Sequence, residues 1–296
     1  MFGRLKQISF CRCAIAALIL LSGLFTQSSF AQFSHITGDL GTTPKPSVDS
    51  IGLVDYKIYY GTLVVTDKDD PEIKEAGTSV VLVGTNGLVF DDYIEYKRDS
   101  LIWNAAKWKL PATNTLNLAL AYGHPLIEFS SAVIFEKNIH IFQPNLGSAV
   151  RARYEEEIPK LDWHITSEEK EIGGYKSQKA TVSYRGREWT AWFTEELPIP
   201  YGPYVFGGLP GLILELRDQK GEYAFTFSGM EKSTPEDTPL MLSHSKQLRV
   251  LPRDQVRVMV KNYMSNPVAA MGNRVKMKDG SSIPKKSFPY NPIELE

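Results

Sequence analysis

Alternation with a period of two dominates the middle of the chain. Ala180, Val182 and Tyr184 alternate with Thr181 and Ser183 up to a turn at Arg185-Gly186-Arg187-Glu188, after which Trp189, Ala191 and Phe193 resume the apolar face. Beyond a Pro- and Gly-rich crossing, Leu212, Leu214 and Leu216 alternate with Ile213, Glu215 and Arg217. Past Asp218-Gln219-Lys220-Gly221 the pattern continues in Tyr223, Phe225 and Phe227. Successive side chains of a strand point to opposite faces, so this pattern predicts consecutive antiparallel strands with one packed face and one more polar face.

The same logic reaches upstream. Tyr56 to Tyr60 continues into Leu63-Val64-Val65, and Asp67 to Pro71 closes that strand with polar and Pro punctuation. Val80 to Val83, between Gly77 and Gly84, is an apolar run suited to a strand covered on both faces. Ala132–Phe135 and Ile139–Phe142 flank Glu136-Lys137-Asn138 as a hairpin. The helical period surfaces once: after Pro252, the residues Val256, Met259, Val260, Tyr263 and Met264 fall on one stripe, which Asn266-Pro267 ends. The expected fold is therefore mainly β, a curved antiparallel sheet or half-barrel with a packing helix near the C-terminus. Its expected divisions are an extended lead-in over 32–50, a β domain over 51–235, and a helix (about 252–265) with a polar tail over 236–296.

Residues 1–31 read as a secretory signal peptide: Arg4, Lys6 and Arg12 precede an apolar core over Ala14–Phe25, and Ser29-Phe30-Ala31 supplies small residues at a cleavage site. That run is too short to span a bilayer, so no transmembrane segment is expected after cleavage. The division changes the meaning of the composition. The whole chain carries 33 basic and 34 acidic residues. Cleavage removes three cations and no anion, leaving a net charge of −4, and removes Cys11 and Cys13, the chain's two cysteines. The expected mature protein is exported, periplasmic or secreted, thiol-free and not a lipoprotein. Its charge balance gives no footing for nucleic-acid binding.

Catalytic signatures do not stand out. HExxH, GxSxG, P-loop and GxGxxG motifs are missing, and Ser167/Lys170, Ser243/Lys246 and Ser282/Lys285 match Ser-x-x-Lys without its companion elements. No two of His35, His124, His140, His164 and His244 have a metal-site spacing, so neither a metal nor a cofactor is expected. His164, between Trp163 and the acids Glu168 and Glu169, is the best single candidate for acid–base work, although an exposed strand-end histidine is much the simpler account of it. Glu155-Glu156-Glu157 reads as a solvated charge run. Aromatic residues crowd the stretch from Trp163 to Phe206. Trp163, Tyr175, Trp189, Trp192, Tyr204 and Phe206 are the candidates for contact with an apolar ligand or peptide, beside a plain role in core packing.

The stretch Gly208-Leu209-Pro210-Gly211-Leu212-Ile213 resembles the motif that names the GLPGLI family of secreted Bacteroidetes proteins. Its surroundings agree: Gly174-Tyr175, Gly186-Arg187, Ala191-Trp192-Phe193-Thr194, Gly202-Pro203 and the closing Asn291-Pro292-Ile293-Glu294-Leu295, with the similarity densest over 150–235. Physically the motif reads as a rigid turn. Pro210 restricts its own φ and pushes Leu209 toward extension, while Gly208 and Gly211 permit backbone angles or approaches that a side chain forbids. The resemblance departs at Ser177, near which members of that family often carry a cysteine, so it does not carry a disulfide or metal role over to this chain. The family's function is unknown. The resemblance implies an envelope location, a half-barrel like the lipoprotein carriers, and an association with TonB-dependent outer-membrane receptors. Three readings of function stay open: a non-enzymatic binder of an apolar ligand, lipid or extended peptide; an accessory partner of a TonB-dependent transport or assembly complex; and an uncharacterised hydrolase built on His164.

Overall fold

The structure is a computed structural model that describes residues 36–146, 150–234, 239–243, 248–267 and 287–296. The expected signal segment with its cysteines, His35, His244 and the tail lysines Lys276, Lys278, Lys285 and Lys286 lie outside the described residues.

The strands are β1 (Val48–Gly52), β2 (Tyr56–Val65), β3 (Lys74–Gly84), β4 (Gly87–Asp92), β5 (Phe129–Ile134), β6 (Ile139–Pro144), β7 (Ala152–Glu157), β8 (His164–Ile172), β9 (Tyr175–Tyr184), β10 (Arg187–Thr194), β11 (Leu212–Asp218), β12 (Tyr223–Lys232), β13 (Leu240–Ser243) and β14 (Arg249–Val250). Helices α1 (Tyr93–Lys107) and α2 (Ala112–Ala121) separate β4 from β5, and α3 (Arg253–Ser265) follows β14. Twelve strands form one sheet in the order β14-β7-β6-β5-β4-β3-β2-β12-β11-β10-β9-β8, while β1 and β13 pair as a separate ribbon. The β14–β7 pairing is parallel and the rest of the sheet antiparallel. The fold is mainly β, an open curled sheet and not a closed barrel, as the alternation predicts.

Local chemistry explains the turns. Arg185 and Gly186 both have positive φ (49° and 76°), the geometry of a two-residue hairpin whose twist matches its flanking strands. The curl is helped by bulges at Trp192/Phe193 and Phe227/Gly229, each of which bends a long strand. It brings distant parts of the strand order together: Arg185, in the β9–β10 turn, donates to Glu156 of β7 at 2.7 Å. The inner face holds one large apolar cluster contributed by both halves of the sheet, including Ile58, Phe90, Val182, Trp189, Leu216 and Phe225. Phe90 and Phe225 meet edge-on at 5.7 Å although their strands are not neighbours.

The inside of the curl is filled by loop and tail more than by helix. The segment 195–211 inserts Tyr204, Val205, Phe206 and Leu209, and Ile293 joins the same cluster. Helix α3 packs on β6–β7 through Val256, Met259 and Val260, beside Tyr154 and Phe142. The outer face has its own smaller core of Val80, Leu82, Val89, Ala132 and Ile141, flanked by Tyr93 and Tyr96 of α1.

Two departures from the sequence expectation have clear causes. Helices α1 and α2 lack a single apolar stripe. The apolar residues of α1 are spread round its circumference, and α2 places Leu116, Leu118 and Leu120 at strand spacing while Ala112, Thr115 and Ala119 make its buried face. What starts α1 is a cap: Asp92 accepts from the Ile94 N–H at 2.8 Å. The second departure is Ile213, placed by alternation on the polar side of β11 but fully buried. The Trp192/Phe193 bulge puts Ile213 opposite Phe193, and Tyr201-Gly202 lies over it so closely that a Cβ on Gly202 would sit 2.7 Å from the Ile213 Cβ.

Candidate functional site

Two places concentrate chemistry, on opposite faces of the sheet. The outer face carries a groove of about 750 Å³. Its apolar part comes from Ile51, Ile134, Ile139 and Ile141, with Trp103 of α1 beside them, and Lys45, Lys137, Glu136, Arg153 and Glu155 supply its charges. The three isoleucines of β5 and β6 are there because alternation sends them outward while His140 and Phe142 point in. Arg153 is engaged by Glu155 at 2.7 Å, so part of this charge is internally compensated. The volume falls within the range of small-ligand sites.

The inner face carries a chain of buried polar groups. Ser131 Oγ lies 3.0 Å from His140 Nε2, and His140 Nδ1 lies 3.3 Å from Glu156 Oε1. Burial raises the Glu156 pKa, but the His140 hydrogen bond and the Arg185 charge outweigh it and hold the carboxyl below its ordinary value. An ionised Glu156 can only accept, so Nδ1 carries the hydrogen in this pair. The order serine–imidazole–carboxylate is that of a nucleophile relay. Ser131 and His140, however, are both 0% exposed, which makes the chain a closed structural tie.

The tie continues into the C-terminal segment. Tyr154 and Tyr204 donate to Glu294 at 3.1 and 2.7 Å, and Arg253 reaches the same carboxylate at 2.6 Å. Burial pushes both phenols up, so they stay protonated donors. Tyr204 holds φ at +59°, a conformation unusual for a bulky residue. Alongside, the buried Arg187 guanidinium donates to Asp218, Glu222, Asn291 Oδ1 and the carbonyls of Pro292 and Ile293. Asn291 in turn donates to the Val65 carbonyl and accepts, through its own carbonyl, from Tyr223. Residues 291–294 are thus gripped by side chains from β7, β10, β12, α3 and the inserted loop, and by a main-chain carbonyl of β2.

Residues 183–215 match the family model described as Protein of unknown function (Porph_ging). That is a Bacteroidetes-associated family, and the match covers a short stretch without specifying the GLPGLI family. No curated protein matches the chain. Solved structures of PNGF-II in the P21 and C2 space groups are similar at TM-scores of 0.47 and 0.48, with 14% and 13% identity over 71% of this chain. The alignment takes in 34% and 33% of those chains, so this chain spans about a third of their length.

Within the Porph_ging stretch the two motif glycines do different work. Gly208 has φ of +87° with open space around its Cβ position. Gly211 is pressed against the backbone, where a Cβ would lie 1.9 Å from the Thr194 carbonyl oxygen. Between them Leu209 is buried in the core and Pro210 is exposed; Leu212 and Ile213 open β11.

The aromatic candidates divide. Trp189, Tyr204 and Phe206 are buried together in the inner core, with Trp189 and Phe206 rings 4.7 Å apart. Trp163 and Tyr175 pack half-buried at its margin, where the Trp163 indole donates to the Gly207 carbonyl at 2.9 Å. Trp192 faces the other way, under Lys170 at 4.3 Å. None of the six lines the groove. His164 is exposed at the start of β8, and its neighbouring acids are engaged elsewhere, Glu168 by Lys179 and Glu169 by Lys176. The Glu155–Glu157 run is not uniformly solvated: the middle residue turns inward to His140 and Arg185, because alternate side chains on β7 face opposite sides. The groove-forming isoleucines were visible in the sequence as a hairpin, but nothing local marked their outward face as open.

Proposed function

We propose that this is an exported, non-enzymatic binding protein of the GLPGLI type, whose ligand is an amphiphile with an apolar chain and an acidic head. The observation that supports it is the outer-face groove, with its isoleucine side, its Trp103 wall and the cations Lys45 and Lys137. The apolar chain would lie along Ile134, Ile139 and Ile141, and the head group would meet the lysines. The inner face, where the aromatic residues invited a ligand, is occupied by the protein's own loop and tail.

The test is direct titration of the purified protein with a long-chain fatty acid, read by calorimetry, with native mass spectrometry on protein isolated from its own envelope. Saturable binding of one ligand per chain is expected, reduced at least about tenfold by Ile139→Asp and by Trp103→Ala, since each alters apolar contact at the site. Absence of saturable binding, or identical affinity in both variants, would overturn the proposal. Displacement of the fatty acid by an extended peptide, but not by other amphiphiles, would reassign the groove to peptides.

A further inference from the structure

The corner between α1 and α2 exposes an unusual combination of residues. Trp108 is 68% exposed and Leu110 46%, and the intervening Lys109 is held at φ of +51°. Lys107 lies over the Trp108 ring at 5.5 Å. The N-terminal arm runs beside this corner: the Thr43 N–H donates to the Leu110 carbonyl and the Ala112 N–H to the Gly41 carbonyl, both at 2.8 Å. That pairing brings in Leu40, 53% exposed, whose N–H donates to Thr113 Oγ1. The one acid of this arm segment, Asp39, accepts from the Gly41 N–H. A few residues further on, Lys45 and Pro46 line the groove.

We infer that this corner docks the protein on an anionic lipid surface, with Trp108, Leu110 and Leu40 entering the interface and Lys107 and Lys109 meeting the head groups. Indole rings favour the boundary between acyl chains and water, because one molecule presents an apolar body and a polar N–H. Lysine stems extend apolar contact while their ammonium groups stay among anionic head groups. The helix ends at Lys107 and the chain turns at Lys109, so Trp108 stands at the tip and not along a packed face. No helix among the described residues is long and apolar enough to cross a membrane, and the contact proposed is peripheral. Docking at this corner would set the arm that borders the groove against the lipid surface.

The experiment is co-sedimentation of the full chain with vesicles of phosphatidylcholine alone and of phosphatidylcholine with phosphatidylglycerol. Binding is expected to the anionic vesicles and not to the neutral ones, and to fall as salt is raised. Lys107→Ser and Lys109→Ser are each expected to weaken it about fivefold, and Trp108→Ala roughly tenfold, with melting temperatures unchanged because these side chains are exposed. Equal binding to both vesicle types, no binding to either, or retention in the Trp108→Ala, Leu110→Ala double variant would overturn the inference. The groove variant Ile139→Asp separates the two proposals: it should keep vesicle binding, and loss there would place the lipid contact in the groove instead of at the corner.

Discussion

Arg187 offers the sharpest test of how the molecule holds together. Its side chain is 1% exposed and lies 2.9 Å from Asp218 and 2.6 Å from Glu222. The same guanidinium donates to Asn291, Pro292 and Ile293, fastening the C-terminal segment to β10. Arg187→Ala leaves Asp218 buried without its counter-charge and orphans two main-chain carbonyls. Asp218 keeps the Tyr223 N–H, at 2.8 Å, and Glu222 is partly solvated, so the loss is moderated at those two groups. Breaking a buried pair from one side costs about 3–5 kcal/mol. For a domain of this size each kcal/mol lowers Tm by roughly 2–4 °C, so a fall on the order of 10 °C is expected.

Urea unfolding followed by far-UV dichroism measures the loss directly. A lower midpoint with unchanged slope assigns the change to stability and not to a different unfolded state. Arg187→Lys should recover part of the loss, because an ammonium restores charge without the planar fork that serves several acceptors at once. It also serves as the measurable variant where Arg187→Ala does not fold. Acid supplies a further check. Burial raises the Glu222 carboxyl, but the Arg187 hydrogen bond and charge outweigh it and lower the pKa on folding. That contribution is present above the unfolded value of about 4.5 and is lost as pH falls through the folded one. The gap between wild type and Arg187→Ala should therefore narrow below about pH 4. A loss under about 1 kcal/mol at pH 7, the range of an exposed ion pair, would refute the clamp.

Two other outcomes are expected. Gly208→Ala should cost about 1–2 kcal/mol for its left-handed backbone, and Gly208→Asn less, whereas Gly211→Ala should cost more than either because its Cβ would meet the Thr194 backbone; equal losses in thermal unfolding would contradict the division of roles. Asp91 is raised well above its ordinary value by burial, reinforced by Asp99, Glu95 and Asp92. A raised carboxyl lowers stability as pH climbs from the unfolded pKa toward the folded one, so Asp91→Asn should gain on wild type from pH 4 to pH 8 in differential scanning fluorimetry. A constant difference across that range would show that Asp91 does not hold its proton in the fold.

Strands β2 and β3 and the pairs β5–β6, β9–β10 and β11–β12 were legible because alternation, apolar runs and turn residues are local signals. The same is true of α3, whose apolar stripe repeats at the helical period. Helices α1 and α2 were not legible, since one spreads its apolar residues and the other sets leucines at alternate positions while packing through alanines. The site was less visible than the fold. The aromatic crowd was conspicuous, yet Trp189, Tyr204 and Phe206 fill the core. The isoleucines that line the groove are ordinary strand residues whose exposure depends on what covers them.

By itself the sequence determined the class of structure: a β protein with a helix near its end, its motif glycines spaced for a turn, and a thiol-free, mildly acidic composition over residues 32–296. These follow from periodicity, composition and backbone restriction, which act between near neighbours. Only the tertiary structure decided which face of each strand was filled. Curling brought β7 toward the β9–β10 turn, so that His140, Glu156 and Arg185 met although no spacing linked them. It also drew Asn291 and Glu294 back into the sheet, turning a polar tail into part of the core. A charged side chain shows its partner only when the chain has closed around it, because burial, not residue type, sets whether that charge is solvated or shared.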